Sequence, residues 1–139
     1  MNKLIIYTDG GSRSNPGPAA SAYVIKSEAG EVLEKGGEFL GIATNNEAEY
    51  QGVIFALKSL VENNASLLPA EIELRADSLL IVKQLRGEYK IKESRLQELH
   101  KRVKELEKVS GEVVYTHIPR SQNSMADQLV NEILDKEPL

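Results

Sequence analysis

The sequence predicts an α/β domain built on a mixed sheet, antiparallel in its first part and parallel in its second, with helices on both faces. Three strand-like segments come first, at residues 4–6, 19–26 and 31–42, as in an antiparallel meander. Helix-like and strand-like segments then alternate, which is typical of parallel strands joined by helices. The 139 residues are therefore predicted to form a single domain, 1–139, around a five-stranded sheet.

The first strand is predicted from the apolar run at residues 4–6 and ends at Asp9. Gly10 and Gly11 follow directly. Glycine tolerates positive φ and lets another backbone approach closely. We therefore expect a sharply turning loop around the Asp9 carboxylate.

The remaining elements are predicted from capping residues and apolar spacing. Thr44 and Glu47 match a capping box, in which each side chain satisfies a free backbone donor of the other residue, and a helix follows to about residue 63. The later elements are helices over 79–85, 92–109 and 124–135 and strands over 71–76 and 112–118.

The composition restricts the kinds of site that this chain can build. It has no cysteine and only two histidines, so a bound metal would be held by oxygen, as Mg²⁺ or Mn²⁺ is. No apolar run has the length of a membrane span, and the N-terminus lacks the apolar segment of a signal peptide. We expect a cytoplasmic protein that does not bind membranes.

Charge is distributed unevenly along the chain. The net charge is −4, yet residues 83–108 hold nine Lys or Arg against five Glu. One interpretation is a contact surface for a polyanion. The other is a solvated helix whose mixed charges pair with one another, and this segment alone favours that second interpretation.

Four acidic residues occupy similar places in the predicted fold. Asp9 and Asp77 follow strands, and ligands of open α/β sheets bind beyond the strands' carboxyl ends. Glu49 lies on the inward, apolar stripe of its helix, where burial is costly without a cation or donors. Asp127 lies near the start of the last helix, on the face that also carries apolar residues.

Each acid also has a local explanation. Asp9 could be a turn residue, Asp77 an N-cap, Asp127 the partner of Ser124 in a capping box, and Glu49 a favourable charge at a helix N-terminus. Coincidence explains all four together less well, because each stands at the edge of an element that faces the same end of the sheet. Four carboxylates that converge there would repel one another. Two divalent ions roughly 3.5–4 Å apart would relieve the repulsion and would suit in-line displacement at phosphorus.

The chain resembles type 1 ribonuclease H over nearly its whole length. The segments that carry the resemblance are YTDGG at 7–11, NPG at 15–17, TNNEAE at 44–49, DS at 77–78, PR at 119–120 and NSMAD at 123–127. The resemblance implies a five-stranded mixed sheet and an endonuclease that cleaves the RNA strand of RNA–DNA hybrids. It also implies 5′-phosphomonoester products and two Mg²⁺ ions, or Mn²⁺, as cofactors.

The same resemblance implies roles for individual residues. Asp9 would bridge both ions, and Glu49, Asp77 and Asp127 would complete their coordination. Arg120 stands where many members have a histidine, and its guanidinium would position the scissile phosphate. The substrate-binding residues would be Gly10, Gly11, Asn15 and Asn46 in the minor groove, Thr44 and Asn45 at a DNA phosphate, and Glu49 at a 2′-hydroxyl.

A further departure from the family pattern concerns substrate binding, and His117 requires an interpretation of its own. The basic protrusion of the family is missing, so hybrid affinity would depend on partial substitutes, which are Lys83, Arg86, Lys90 and Lys92. His117 lies in the predicted last strand, and we interpret it as a half-buried strand residue without a catalytic role.

Three other functions are compatible with parts of the sequence. A nuclease that also cleaves double-stranded RNA would share the catalytic residues. A non-catalytic hybrid-binding module would share the fold, but it would have no need for four unneutralised acids. A small-molecule phosphatase would use the same metals, but it would have no need for the asparagines that are expected to contact the minor groove. We expect a monomer with no obligate protein partner.

Overall fold

The computed structural model describes residues 2–137, and these form a five-stranded mixed sheet flanked by α-helices. The strands are β1 Asn2–Ser12, β2 Gly17–Ser27, β3 Val32–Ala43, β4 Ala70–Ala76 and β5 Val113–His117. The α-helices are α1 Asn45–Asn63, α2 Leu79–Leu85, α3 Ser94–Ser110 and α4 Ser124–Lys136, with 3₁₀ turns at Ala65–Leu67 and Arg120–Gln122.

The strand order is β3-β2-β1-β4-β5. β1 pairs with β2, and β2 with β3, in antiparallel fashion, whereas β4 lies parallel to both β1 and β5. The predicted fold class is confirmed, including the change from antiparallel to parallel pairing along the chain.

Helices cover both faces of the sheet. The main core lies between β1 and β4 on one side and α1, α2 and α3 on the other, with Ile6, Leu74 and Leu57 among its fully buried side chains. On the opposite face α4 packs Val130 against Ala22 of β2 in a smaller apolar cluster. No helix within residues 2–137 is both long and apolar enough to cross a membrane.

The structure corrects the prediction for the end of β1. Asp9 does not begin a loop, because β1 continues to Ser12 and Asp9 pairs with Ala22 of β2. The parallel pairing with β4, however, ends at Thr8 and Ala76. Asp9 therefore lies where β1 and β4 separate, and this is the sheet edge at which the carboxyl ends of the parallel strands open to ligands.

The glycine after Asp9 is required by helix packing. A Cβ on Gly10 would lie 2.2 Å from the carbonyl oxygen of Ala48 in α1, and a Cβ on Gly52 would lie 2.9 Å from the carbonyl oxygen of Asp9. Only glycine at these two positions lets the α1 and β1 backbones come this close. The approach brings the first turns of α1 directly over Asp9.

The start of α1 agrees with the predicted capping box. The Glu47 backbone N–H donates to Thr44 Oγ1 at 3.1 Å, and the Thr44 N–H donates to Glu47 Oε1 at 3.2 Å. At α2 the cap is Ser78, whose hydroxyl accepts from the Ile81 N–H.

The local explanations for two acids are wrong. Ser78 rather than Asp77 caps α2. The N-cap of α4 is Asn123, and no side-chain capping bond forms within the described residues, so Asp127 does not close a capping box with Ser124. Neither Asp77 nor Asp127 therefore has the helix-capping role that the sequence suggested for it.

Candidate active site

Three of the four predicted acids converge where β1 and β4 separate. Asp9 comes from β1, Asp77 directly follows β4, and Glu49 lies near the N-terminus of α1. One carboxylate oxygen from each lies within 4.8 Å of the others. This carboxylate cluster, Asp9, Glu49 and Asp77, is the centre of the candidate site.

Glu49 is held in the cluster by helix packing and by one backbone donor. It is 7% exposed, as its position on the apolar stripe of α1 predicted. The Gly10 N–H donates to Glu49 Oε1 at 3.2 Å. Gly10 thus has two effects. It lets α1 lie close to β1, and its N–H orients the Glu49 carboxylate.

The cluster lacks a cationic side chain. Among residues 2–137, no Lys, Arg or His forms an ion pair with Asp9, Glu49 or Asp77. Burial and then the charge of Asp77 raise the pKa of Asp9 from 3.8 to about 7. Burial also raises the pKa of Glu49 well above its ordinary value, with further increases from Asp9 and Asp77.

This donor set suits a hard divalent cation. Two unit charges about 4 Å apart repel by about 4 kcal/mol at an effective dielectric constant of 20. A cation bound among the three carboxylates would replace that repulsion with attraction. Carboxylate oxygens are preferred by Mg²⁺ and Mn²⁺, and the cluster contains neither sulfur nor imidazole.

Asp127 lies near the cluster without being part of it. It is half-buried in the first turn of α4, outside the group whose oxygens lie within 4.8 Å of one another. Its charge nevertheless contributes to the raised pKa of Asp9. The structure thus brings together three of the four predicted acids and places the fourth beside them.

Arg120 and His117 both lie on the surface at the same end of the sheet. Arg120 is exposed at the first residue of the 3₁₀ turn after β5. His117 is the last residue of β5 and is also exposed, so the predicted half-buried position is wrong. Alternation places His117 on the same face as the buried Val113 and Tyr115, but His117 is exposed because it is the last residue of a strand at the edge of the sheet.

The side-chain oxygens of Asn15 and Asn45 each accept a backbone N–H at the edge of the site. The Asn45 backbone N–H donates to Asn15 Oδ1 at 2.9 Å, and the Ser12 N–H donates to Asn45 Oδ1 at 2.8 Å. Because a backbone N–H requires an acceptor, these bonds fix which amide atom is oxygen. Neither NH₂ group donates to another residue within 2–137, so both are available to a ligand.

The other predicted substrate-contact residues surround the same point. Thr44 and Asn46 are half-buried at the N-terminus of α1, and Gly10 and Gly11 belong to β1. The Thr44 hydroxyl is engaged in the capping box. These residues therefore belong to β1 and to the start of α1, the two elements that carry Asp9 and Glu49.

Two of the four predicted basic contact residues share one carboxylate. Lys83 and Arg86 lie 3.6 and 3.7 Å from carboxylate oxygens of Glu88. Lys90 and Lys92 are exposed, and neither forms an ion pair with another residue in 2–137. Internal pairing thus accounts for part of the basic segment.

Sequence reasoning missed the contact made by Asn123. Its side chain is 1% exposed and donates to Asp77 Oδ2 at 2.9 Å and to the Thr8 carbonyl at 2.8 Å. The sequence signal was an asparagine before a helix, which ordinarily indicates an N-cap. Nothing local distinguishes that use from a contact with a distant carboxylate.

The fold and the site together define a ribonuclease H-like class of α/β protein with a carboxylate centre. Residues 7–133 match the family described as reverse transcriptase-like. The ribonuclease HI of Halobacterium salinarum is 42% identical over 129 residues, which cover 93% of this chain and 63% of that protein. A bifunctional protein of Mycobacterium tuberculosis is 37% identical over 134 residues, which cover 96% of this chain and 36% of that protein.

Solved structures agree with this assignment. LC11-RNase H1, isolated from compost by a metagenomic approach, is 46% identical with a TM-score of 0.92, and the match covers 98% of each chain. The chain therefore belongs to the type 1 ribonuclease H family. It spans less than two thirds of the length of the first curated relatives that it matches.

Proposed function

We propose that this protein is a metal-dependent endoribonuclease that hydrolyses the RNA strand of RNA–DNA hybrids. The observation that carries the proposal is the carboxylate cluster, in which Asp9 and Glu49 are buried and which no cationic side chain within residues 2–137 neutralises. A binding module without chemistry would have no reason to retain this energetically costly arrangement.

In the proposed mechanism Asp9, Glu49, Asp77 and Asp127 would hold two Mg²⁺ ions, or Mn²⁺. Such ions supply electrostatic stabilisation of the charge that develops on phosphate oxygens. The Gly10 N–H fixes Glu49, and the surrounding packing keeps Asp9 largely away from solvent, so the carboxylates are in place before substrate arrives. Arg120 contacts the scissile phosphate from the exposed turn after β5.

Hybrid recognition is supported by a relative and by the asparagine pair. A structure of LC11-RNase H1 in complex with RNA/DNA hybrid matches this chain with 44% identity and a TM-score of 0.92. The free NH₂ groups of Asn15 and Asn45 suit acceptor atoms, which both the minor groove and the phosphates offer. Lys90 and Lys92 add sequence-independent attraction to phosphate.

The deciding experiment compares three matched labelled duplexes: RNA–DNA, RNA–RNA and DNA–DNA. Each is incubated with Mg²⁺, with Mn²⁺ and with EDTA. We expect metal-dependent cleavage of the RNA strand of the hybrid alone, with 5′-phosphomonoester ends. Cleavage of RNA–RNA as well would indicate the broader nuclease, and hybrid binding without cleavage would indicate the non-catalytic module. Immunoblotting of fractionated cells would test the expected cytoplasmic location, and sedimentation velocity would test the expected monomeric state.

Asn45→Asp is expected to weaken hybrid binding without unfolding the protein. The carboxylate still accepts from the Ser12 N–H, but it offers no donor and adds a negative charge next to phosphate. We expect KM to rise about tenfold or more, since a lost hydrogen bond to a charged group costs roughly 1.5–3 kcal/mol. Steady-state kinetics and thermal unfolding check this, with exposed Asn63→Asp as the control. An unchanged KM would exclude Asn45 from the substrate surface.

Arg120→Ala is expected to lower turnover far less than loss of a cluster carboxylate. The exposed guanidinium acts on phosphate from outside the cluster, so we expect a decrease of roughly 10- to 100-fold, equivalent to about 1.4–2.7 kcal/mol. Arg120→Lys separates charge from the bidentate geometry of arginine. Equal inactivity of Arg120→Ala and Asp9→Asn would make Arg120 a primary catalytic group.

A further inference from the structure

Asn123 makes a contact that neither helix capping nor core packing explains. As the N-cap of α4, its Oδ1 would ordinarily accept from a helix N–H, but no such side-chain bond forms within residues 2–137. The Oδ1 atom is buried and has no hydrogen-bond partner among these residues. An apolar side chain at this position would avoid the free-energy cost of a buried, unsatisfied oxygen. The contribution of Asn123 must therefore come from its NH₂ group.

Both hydrogens of that NH₂ group have partners at the edge of the carboxylate cluster. Asn123 Nδ2 lies 2.9 Å from Asp77 Oδ2 and 2.8 Å from the Thr8 carbonyl oxygen. Both partners are oxygen acceptors, so the reversed amide would place Oδ1 against two oxygens and is excluded. The orientation of the side chain is therefore determined by its contacts.

The two partners are the points at which β1 and β4 separate. Thr8 is the last residue of β1 paired with β4 and immediately precedes Asp9, and Asp77 immediately follows β4. One side chain thus connects the backbone next to Asp9 with the carboxylate of Asp77. The Asn123 carbonyl also accepts from the Asp127 N–H at 3.1 Å, which places the start of α4 in the same arrangement.

We propose that Asn123 is a positioning residue, which holds Asp77 at a fixed distance from Asp9 and thereby sets the affinity of the site for divalent cations. The inference rests on the proposed function, in which these two acids hold the ions. With Oδ2 bonded to Asn123, the other oxygen of Asp77 is free for a cation. Removing the amide would leave Asp77 free to rotate towards solvent, since this residue is only half-buried.

The test is Mn²⁺ binding by calorimetry to wild type and Asn123→Ala, without substrate and at one fixed pH. We expect the variant to bind Mn²⁺ about 10- to 100-fold more weakly, as is typical when a residue that orients a metal ligand is lost. In cleavage assays the half-saturating Mg²⁺ concentration should rise by a similar factor, and excess Mg²⁺ should restore most of the turnover.

Asn64 provides a matched control away from the site. Its Nδ2 also bridges a carboxylate and a backbone carbonyl, at 2.8 Å from Glu34 Oε2 and 3.2 Å from the Ser59 oxygen. Asn64→Ala should lower the thermal unfolding temperature yet change Mn²⁺ affinity by less than twofold. Should Asn123→Ala fail to fold, Asn123→Ser is measured in its place, with the same direction expected because the shorter hydroxyl cannot bridge both partners.

The outcomes separate this inference from the proposed function. Wild-type binding of Mn²⁺ together with undiminished binding by folded Asn123→Ala, or Asn123→Ser in its place, would overturn the positioning role alone. Equal weakening in Asn64→Ala would also overturn it, because general loosening of the fold would then be the cause. Absence of Mn²⁺ binding in wild type would overturn the metal site and the inference together.

Discussion

Asp9→Asn is expected to abolish Mg²⁺-dependent cleavage of the hybrid while the fold remains intact. Asp9 is central to the carboxylate cluster, and the amide keeps its size but loses the charge that holds a cation. Removing several kcal/mol of electrostatic stabilisation corresponds to a decrease in kcat of about 1,000-fold or more. Cleavage assays and circular dichroism measure the two parts of this result.

The same variant is expected to be more stable than wild type when both are free of metal at pH 8. Because the pKa of Asp9 is raised from 3.8 to about 7 in the folded protein, the folded state binds more protons than the unfolded state between these values. The free energy of unfolding of the wild type therefore decreases as pH rises through this range. At 1.36 kcal/mol for each pKa unit, the decrease from Asp9 is on the order of 4 kcal/mol at most.

Chemical denaturation in EDTA at pH 5 and pH 8 tests this linkage. Asp9→Asn should unfold at a higher denaturant concentration than wild type at pH 8, and the difference should be smaller at pH 5. Added Mg²⁺ should stabilise the wild type and leave Asp9→Asn almost unchanged. Asp135→Asn, at an aspartate whose side chain is 67% exposed, is the control for removal of one carboxylate. Retained cleavage in Asp9→Asn would contradict the metal assignment.

Gly10→Ala is expected to destabilise the protein strongly and to inactivate it. The new Cβ would lie 2.2 Å from the Ala48 carbonyl oxygen and 2.6 Å from the Glu49 nitrogen, both backbone atoms. The Ala48 carbonyl is also held by the Ser21 hydroxyl at 2.6 Å, so α1 cannot yield locally. Overpacking of cores costs roughly 1–3 kcal/mol, and we expect about 3 kcal/mol or more here because only backbone can move.

The loss of activity in Gly10→Ala should exceed what unfolding explains. Displacing α1 moves Glu49 away from Asp9, and a shift of about 1 Å can reduce turnover roughly 100-fold. Gly11→Ala is the matched control for packing, since its Cβ would meet only Val130 Cγ1 at 3.9 Å. Because Gly11 is itself a predicted substrate contact, the comparison uses kcat at saturating hybrid and not KM. The two variants are compared in turnover, measured at a temperature where both are folded, and in unfolding free energy. Similar behaviour of the two would mean that close approach of α1 does not determine the site.

The sequence by itself determined those features that depend on neighbouring residues. The capping box of Thr44 and Glu47 and the inward position of Glu49 follow from local hydrogen bonding and helical spacing, and the structure agrees with both. The motif order indicated the family, and the comparisons confirm it. The assignment of roles to the four acids remains a prediction.

Only the tertiary structure decided which acids meet and what holds them. Asp9 lies within a strand because β2 continues beside it, and Gly10 is needed because α1 crosses that strand. Asn123 reaches Asp77 across 46 residues and Thr8 across 115. Local patterns specify the face on which a side chain lies, but distances between faces depend on how closely elements pack. For that reason periodicity placed Glu49 correctly, whereas the role of Asn123 and the position of Asp127 outside the cluster required the assembled sheet and helices.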